Sequence, residues 1–119
     1  MRDVLVVDDH SDSGRALARF VSIKDGMADY VESGEKALEY LQTHSPRLMF
    51  LDLMMPEMDG LEVLKKVRSN PQFEDIAVVL CSAVSDPEVQ AQAISAGAQG
   101  YIVKGHYDEV TDAVKRFVG

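Results

Sequence analysis

Leu48-Met49-Phe50-Leu51 is a run of four large apolar residues that stops at Asp52. A strand turns alternate side chains to opposite faces, so a run without a polar position is apolar on both. Strands of that kind are covered on both sides, as in a parallel sheet between two layers of helices. Outward from it, Val4-Leu5-Val6-Val7 repeats the pattern and stops at Asp8-Asp9, and residues 76–80 repeat it before Cys81-Ser82. Amphipathic stretches separate these runs. Ser11-Asp12-Ser13-Gly14 is a helix-start signal, followed by Ala16, Leu17, Phe20 and Val21 at helical spacing. Ser33 precedes Lys36, Ala37, Leu38, Tyr40 and Leu41 in a second helix that ends before Pro46. Leu61, Leu64 and Val67, with Val63 beside them, mark a third helix stopped by Asn70-Pro71. Pro87 opens a fourth that Gly97 ends, and Val110, Ala113, Val114 and Phe117 mark the last. Gly26 and the run at 27–31 predict the second strand, residues 100–103 the fifth, and residues 69–75 a connecting loop only.

Five alternating strand–helix units predict an α/β architecture with a parallel five-stranded sheet and helices on both faces. The first, third and fourth strands are continuously apolar and belong in the sheet centre. The second carries Asp29 in its middle, which suits an edge. The order 2-1-3-4-5 of the flavodoxin-like doubly wound (βα)5 fold meets both conditions, as a single domain over 1–119.

Composition narrows the function classes. The chain has 119 residues, 46% of them apolar and 27% charged, enough to bury a core without disulfides or a structural metal. Its lone cysteine, Cys81, excludes an internal disulfide and fits a reducing compartment. No segment approaches the roughly 18 consecutive apolar residues of a membrane span, so a cytoplasmic protein is the expectation. Acidic residues outnumber basic ones 20 to 12, for a net charge of −8. That balance argues against direct nucleic-acid binding, which needs clustered Lys and Arg, and against anionic lipid.

In open α/β sheets, ligands bind beyond the carboxyl ends of strands, where strand order reverses. Asp8 and Asp9 end the first strand, Asp52 the third, Ser82 the fourth and Lys104 the fifth. Two carboxylates about 5 Å apart repel by roughly 3 kcal/mol at an effective dielectric near 20, so three together call for a cation. All-oxygen ligation favours a hard ion, and Mg²⁺ takes one or two carboxylates plus waters and phosphate oxygens. With Lys104 as a second positive group, the crevice suits a phosphoryl group in flight. Asp52 is then the nucleophile that forms an acyl phosphate, and Ser82 a hydrogen-bond donor to it.

On Val6-Val7-Asp8-Asp9, the stretch Leu51-Asp52-Leu53-Met54-Met55-Pro56-Glu57-Met58-Asp59-Gly60, Ser82-Ala83 and Tyr101 to Lys104, the chain resembles the receiver domains of two-component response regulators, including the chemotaxis response regulator. The separations from Asp52 to Ser82 and from Ser82 to Lys104 are similar to the family's, and the resemblance covers essentially the whole chain. It implies that Asp52 is the phosphoacceptor, fed by a sensor histidine kinase or histidine phosphotransfer protein. It implies that Asp9 binds Mg²⁺ directly, Asp8 directly or through water, with Asp52 and the backbone carbonyl of Met54. Ser82 becomes the switch hydroxyl beside Ala83, Lys104 the phosphate-binding cation and Tyr101 the aromatic switch partner. The face of the fourth helix, fifth strand and fifth helix would then change affinity for an output domain or protein, or for a second copy. Apolar Met54 and Val84 imply slow self-dephosphorylation. Such a domain is not an enzyme beyond its own phosphorylation and dephosphorylation. Gly105-His106 depart from the proline that usually follows the lysine; a non-proline cis bond costs about 2.5–4 kcal/mol, which predicts a trans bond or a glycine-specific conformation.

Plainer readings stand beside these. Asp8-Asp9 alone suits a helix cap and turn as well as a metal site. Tyr101 alone is edge-strand packing, Ser82 a turn hydroxyl, Lys104 a solvated surface residue and Cys81 a buried small hydrophobe. His10, His44 and His106 show no metal-ligand spacing and read as exposed, although His10 and His106 could lie at the site rim. An aspartyl-phosphate phosphatase would have a second acid two residues after the nucleophile, where Met54 stands. A flavin module would need a hydroxyl-rich cradle where Asp8-Asp9 stand. A degenerate receiver that no longer takes phosphate conflicts with the complete set of reactive side chains.

Overall fold

The computed structural model describes residues 3–24 and 28–119. Five strands, β1 (Val4–Val7), β2 (Ala28–Val31), β3 (Leu48–Leu51), β4 (Ala77–Ser82) and β5 (Gly100–Val103), alternate with five helices. These are α1 (Ser11–Lys24), α2 (Gly34–Thr43), α3 (Gly60–Arg68), α4 (Pro87–Ser95) and α5 (Tyr107–Phe117). All pairings are parallel and the order is β2-β1-β3-β4-β5, the flavodoxin-like arrangement. Asp29 sits on edge strand β2 and accepts a hydrogen bond from Tyr40 Oη at 2.8 Å. The predicted start of β2 at Gly26 and Met27 lies outside the described residues.

The sheet divides the core in two. Leu5, Val7, Met49, Leu51, Val78 and Leu80 face α2, α3 and α4. Val4, Val6, Leu48, Phe50, Val79, Cys81 and Ile102 face α1 and α5 through Leu17, Ala18, Val21, Val110 and Val114. Alternation along each strand decides which side a residue joins.

Three local readings need correction. In α1, Ala16 is exposed and Leu17, Ala18 and Val21 carry the buried stripe. In α3, Val63 is fully buried with Leu64 and Val67, whereas Leu61 only flanks the core, because the 3.6-residue turn puts Gly60, Val63, Leu64 and Val67 on one face. The segment 69–75 is no plain loop: Pro71–Phe73 form a 3-10 turn capped by Asn70, and Phe73 is buried. Phe73 fills the gap at the end of α3, and its neighbours close the turn.

Arg68 fastens this corner. Its guanidinium donates to the carbonyls of Gly97 (2.9 Å) and Ile76 (2.8 Å) and to Gln99 Oε1 (2.7 Å). Gln99 Oε1 in turn accepts from the Val78 N–H at 2.7 Å. Burial presses the Arg68 pKa downward, yet the fork of donors meets acceptors on both the α4–β5 connection and the segment before β4. Arg68→Ala should therefore cost about 3 kcal/mol, since buried acceptors left unpaired cost about 1–3 kcal/mol each. Urea unfolding checks this, and Arg68→Lys should recover less than half of the loss.

Candidate phosphoacceptor site

The sheet register assembles the site. Val7 pairs with Leu51 across β1 and β3, so the residues that follow them, Asp8 and Asp52, leave the sheet side by side. The backbone continues the ladder beyond the strands: the Asp52 N–H donates to Val7 O at 2.9 Å and the Asp8 N–H to Val31 O at 3.2 Å. On the other flank, the Lys104 N–H donates to Ser82 O at 2.9 Å. Strand β4 runs past its predicted end at Leu80 to Ser82, because Cys81 and Ser82 pair with Ile102 and Val103.

Alternation then sorts the side chains. Asp8, Asp52 and Lys104 share the parity of the strand residues that face α1 and α5, whereas Ser82 and Tyr101 share the parity of the α3–α4 side. Lys104 Nζ lies 2.9 Å from Asp8 Oδ2 and 3.3 Å from Asp52 Oδ2. One ammonium thus bridges two buried carboxylates. Gly105, the departure from the family pattern, has φ +101°, a conformation open to glycine at little cost. Among the described residues no peptide bond is cis, and the lysine reaches the crevice by this route.

Electrostatics separate the carboxylates. Burial acts to raise Asp8, but hydrogen bonds from Ser13 Oγ (2.6 Å), Lys104 Nζ and the His10 N–H (2.9 Å) hold its pKa below the ordinary value. Asp52 is pushed up to about 6 by burial and by the Asp8 carboxylate beside it, against the attraction of Lys104. Among the described residues three donors serve Asp8 and only the longer Lys104 contact serves Asp52, so Asp52 is the group that keeps a proton longer. Lys104 is raised: burial opposes its charge, and the two carboxylates outweigh burial. Asp9 Oδ1 is buried and accepts no hydrogen bond among the described residues, with His10 Nδ1 3.2 Å away. Ligand atoms of Asp8, Asp9, His10 and Asp52 all lie within 4.8 Å of one another. The donor set is mostly oxygen and lacks positive charge, so it fits a divalent cation.

The other candidates fall around this centre. Ser82 is fully buried and its Oγ accepts from the Val84 N–H at 3.2 Å. Tyr101 Oη donates to Val84 O at 2.7 Å, and burial raises its pKa while Ser82 lowers it. Ser82, Val84 and Tyr101 therefore form one linked group. Ala83 is exposed. Met54 lies two residues beyond Asp52 with its side chain 62% exposed, and Val84 is half-buried. Cys81 is buried, which pushes its thiol up to about 11. His10, His44 and His106 are all exposed, as expected.

Two residues escaped the sequence reading, and a third was placed only at the site rim. Ser13, in the first turn of α1, holds Asp8 Oδ2. Tyr30 pairs in register with Val6 and donates to the carbonyl of Asp8 at 2.6 Å. His10 joins the carboxylates, although the spacing of the three histidines gave no hint of it, because the turn from Asp8 to His10 builds the group. The signal available was position: Tyr30 is one residue from the end of β2, His10 three residues past the end of β1, and Ser13 in the first turn of the helix that follows.

The family model for the response regulator receiver domain matches residues 4–115. The chemotaxis protein CheY of Bacillus subtilis is 34% identical over 117 residues, which cover 95% of this chain and 94% of that protein. The response regulator GacA of Pseudomonas protegens is 34% identical over 116 residues, 94% of this chain and 53% of that longer protein. Among solved structures, the response regulator TrrA of Thermotoga maritima, in complex with Mg(2+)-BeF, superposes with a TM-score of 0.86 at 30% identity, covering 98% of this chain and 99% of that one. The chain belongs to the response regulator receiver domain family.

Proposed function

We propose that this domain, as a single unit, accepts a phosphoryl group on Asp52 from a histidine kinase or histidine phosphotransfer protein, with Mg²⁺ as its cofactor. The observation that carries the reading is Lys104 Nζ bridging Asp8 and Asp52 beside a buried Asp9 oxygen that accepts no hydrogen bond among the described residues. Asp8, Asp9, Asp52 and the backbone carbonyl of Met54 would hold the ion. When bound, it offsets carboxylate and phosphoryl charge. That the Thermotoga relative was solved in complex with Mg(2+)-BeF supports Mg²⁺ as the cofactor.

The residues divide the work. An Asp52 carboxylate oxygen attacks phosphorus, the O–P bond forms, and the bond to the donor's nitrogen or oxygen breaks. Lys104 leaves Asp52 for a phosphoryl oxygen, where its charge is not screened by bulk water. The backbone at Ala83 and the hydroxyl of Ser82 supply neutral donors. Turning Ser82 toward the phosphoryl group withdraws the acceptor of the Val84 N–H, and Val84 is tied to Tyr101 through its carbonyl. The β4–α4 loop and the face made by α4, β5 and α5 are thereby coupled to Asp52. Helix α4 buries only Ala93 fully, so little packing resists its adjustment. That face is the surface we assign to an output domain, an output protein or a second copy.

The test is incubation with Mg²⁺ and a small acyl phosphate, followed by intact mass measurement. A gain of one phosphoryl group, abolished by a chelator, is expected; no gain with Mg²⁺ and excess donor overturns the reading. A second measurement addresses the switch. Ser82→Ala should take up phosphate within about threefold of wild type, yet the phosphorylation-induced change in the Tyr101 ring resonances should fall by about tenfold or more, because a hydrogen bond to a charged group contributes about 1.5–3 kcal/mol. A wild-type response in that variant would remove Ser82 from the switch.

A further inference from the structure

His10 stands where the phosphoacceptor chemistry does not need it. Its ring is 71% exposed, yet Nδ1 lies 3.2 Å from Asp9 Oδ1 and 3.5 Å from Asp8 Oδ1. The position is fixed from below, since the His10 N–H donates to Asp8 Oδ1 at 2.9 Å. One nitrogen thus converges with three carboxylates, all ligand atoms lying within 4.8 Å of one another. The donors of a tetrahedral Zn²⁺, with bonds of about 2.0–2.1 Å, stand roughly 3.3 Å apart, and His10 Nδ1 and Asp9 Oδ1 are already near that separation. Small side-chain rotations close the remaining difference, and an exposed ring has room to make them.

Ligand type then decides which ion gains. Mg²⁺ prefers oxygen donors and keeps several waters, so an imidazole adds little to its binding. Zn²⁺ takes imidazole nitrogen readily and is satisfied by four protein ligands. We propose that His10 Nδ1 joins Asp8, Asp9 and Asp52 as a fourth ligand for Zn²⁺, making this a site that discriminates between divalent ions and that Zn²⁺ closes against phosphoryl groups. The assignment rests on reading these carboxylates as the divalent-ion site. It follows because four protein donors leave a tetrahedral ion no open position for a phosphate oxygen. His10 acts only through the bound ion, and a histidine that merely donates a hydrogen bond to the carboxylates would not separate Zn²⁺ from Mg²⁺.

The whole chain serves for the test. Isothermal titration with Zn²⁺ alone and with Mg²⁺ alone is compared for wild type, His10→Ala and His106→Ala. The last is the control, because His106, Asp108 and Glu109 form a second, exposed group. His10→Ala should weaken Zn²⁺ binding by at least about tenfold and leave Mg²⁺ binding within about twofold; His106→Ala should leave the tight Zn²⁺ site intact. Titration with Co²⁺ should produce the intense visible absorption of a four-coordinate site in wild type and not in His10→Ala. Zn²⁺ should also block Mg²⁺-dependent phosphoryl uptake in wild type at concentrations that leave His10→Ala active. Equal Zn²⁺ affinity with and without His10, or parallel losses for both ions, overturns the assignment while phosphoryl uptake with Mg²⁺ persists. A wild type that binds neither ion and takes no phosphate overturns the assignment and the proposed function together.

Discussion

Asp52→Asn should remain at its unmodified mass after exposure to Mg²⁺ and a phosphodonor that loads the wild type, and in a chelator at about pH 7.5, above the raised acid's range, it should melt higher. The first result follows from chemistry: an amide oxygen is neutral and forms no acyl phosphate. The second follows from burial. Asp52 sits beside Asp8 with one shared ammonium, and its pKa is pushed up to about 6. Every tenfold gain in proton affinity on folding is worth about 1.36 kcal/mol in favour of the protonated form. The sign is that of a raised acid. Between the ordinary carboxylate value and about 6 the folded state holds a proton that the unfolded chain has released, so stability falls as pH rises through this window. Above it the folded protein carries the whole cost.

Removing the charge removes that cost, in which the Lys104 attraction is already counted, for a gain of about 2 kcal/mol. A domain of this size should then melt roughly 5–10 °C higher. The advantage should vanish toward about pH 4 and below, where Asp52 is protonated folded and unfolded alike. Thermal unfolding followed by circular dichroism across roughly pH 3–8 checks both the size and the direction. A variant that melts lower above the window, or gains equally below it, would show that Lys104 balances Asp52 completely.

The same burial explains what the sequence disclosed. Strands β1 and β3 announced themselves because both of their faces are core, so no period other than a continuous run was available. Asp8, Asp9, Asp52, Ser82 and Lys104 were legible because a polar residue that ends such a run must leave the sheet at its carboxyl end. What stayed hidden depends on contacts between segments. Phe73 is one apolar residue in a polar stretch, and no periodicity says that it joins the core beside α3. Tyr30 acts on Asp8 from the neighbouring strand through its hydroxyl, which shows only once the register is known. The stripe in α1 was misjudged at Ala16 because the way the helix rests on the sheet, not its composition, selects Leu17, Ala18 and Val21. The Lys104-Gly105 turn was read as either a trans bond or a glycine conformation; the φ of +101° at Gly105, with no cis bond among the described residues, shows that both apply.

Gly60→Ala should do the greatest damage of any single added methyl group, although the residue touches neither the carboxylates nor Lys104. Gly60 opens α3, which Asp59 caps by accepting the Glu62 N–H at 2.9 Å. Its N–H donates to Leu53 O at 2.8 Å, so the helix start is pressed against the chain just beyond Asp52. A Cβ on Gly60 would overlap the carbonyl oxygen of Asp52 and stand 2.9 Å from the Cα of Leu53. Neither obstacle is the flexible end of a side chain. Asp52 is itself tied into the sheet by its bond to Val7 O, so relief requires either α3 to lift away from the core with Val63, Leu64 and Val67 or Asp52 to leave its register. Overpacking of this kind costs about 1–3 kcal/mol and sometimes more; here both routes break core packing, and a loss of about 3 kcal/mol in urea unfolding is expected. Whatever stays folded should load phosphate about tenfold more slowly or worse, since a displacement near 1 Å at a reacting group costs up to about 10²-fold. Gly100→Ala is the matched control: its Cβ meets only Val79 methyl groups at 3.6 and 3.8 Å, and it should cost less than about 1 kcal/mol. Equal stability of the two variants would mean that α3 yields to the methyl group, and then phosphoryl uptake alone would report whether Asp52 had moved.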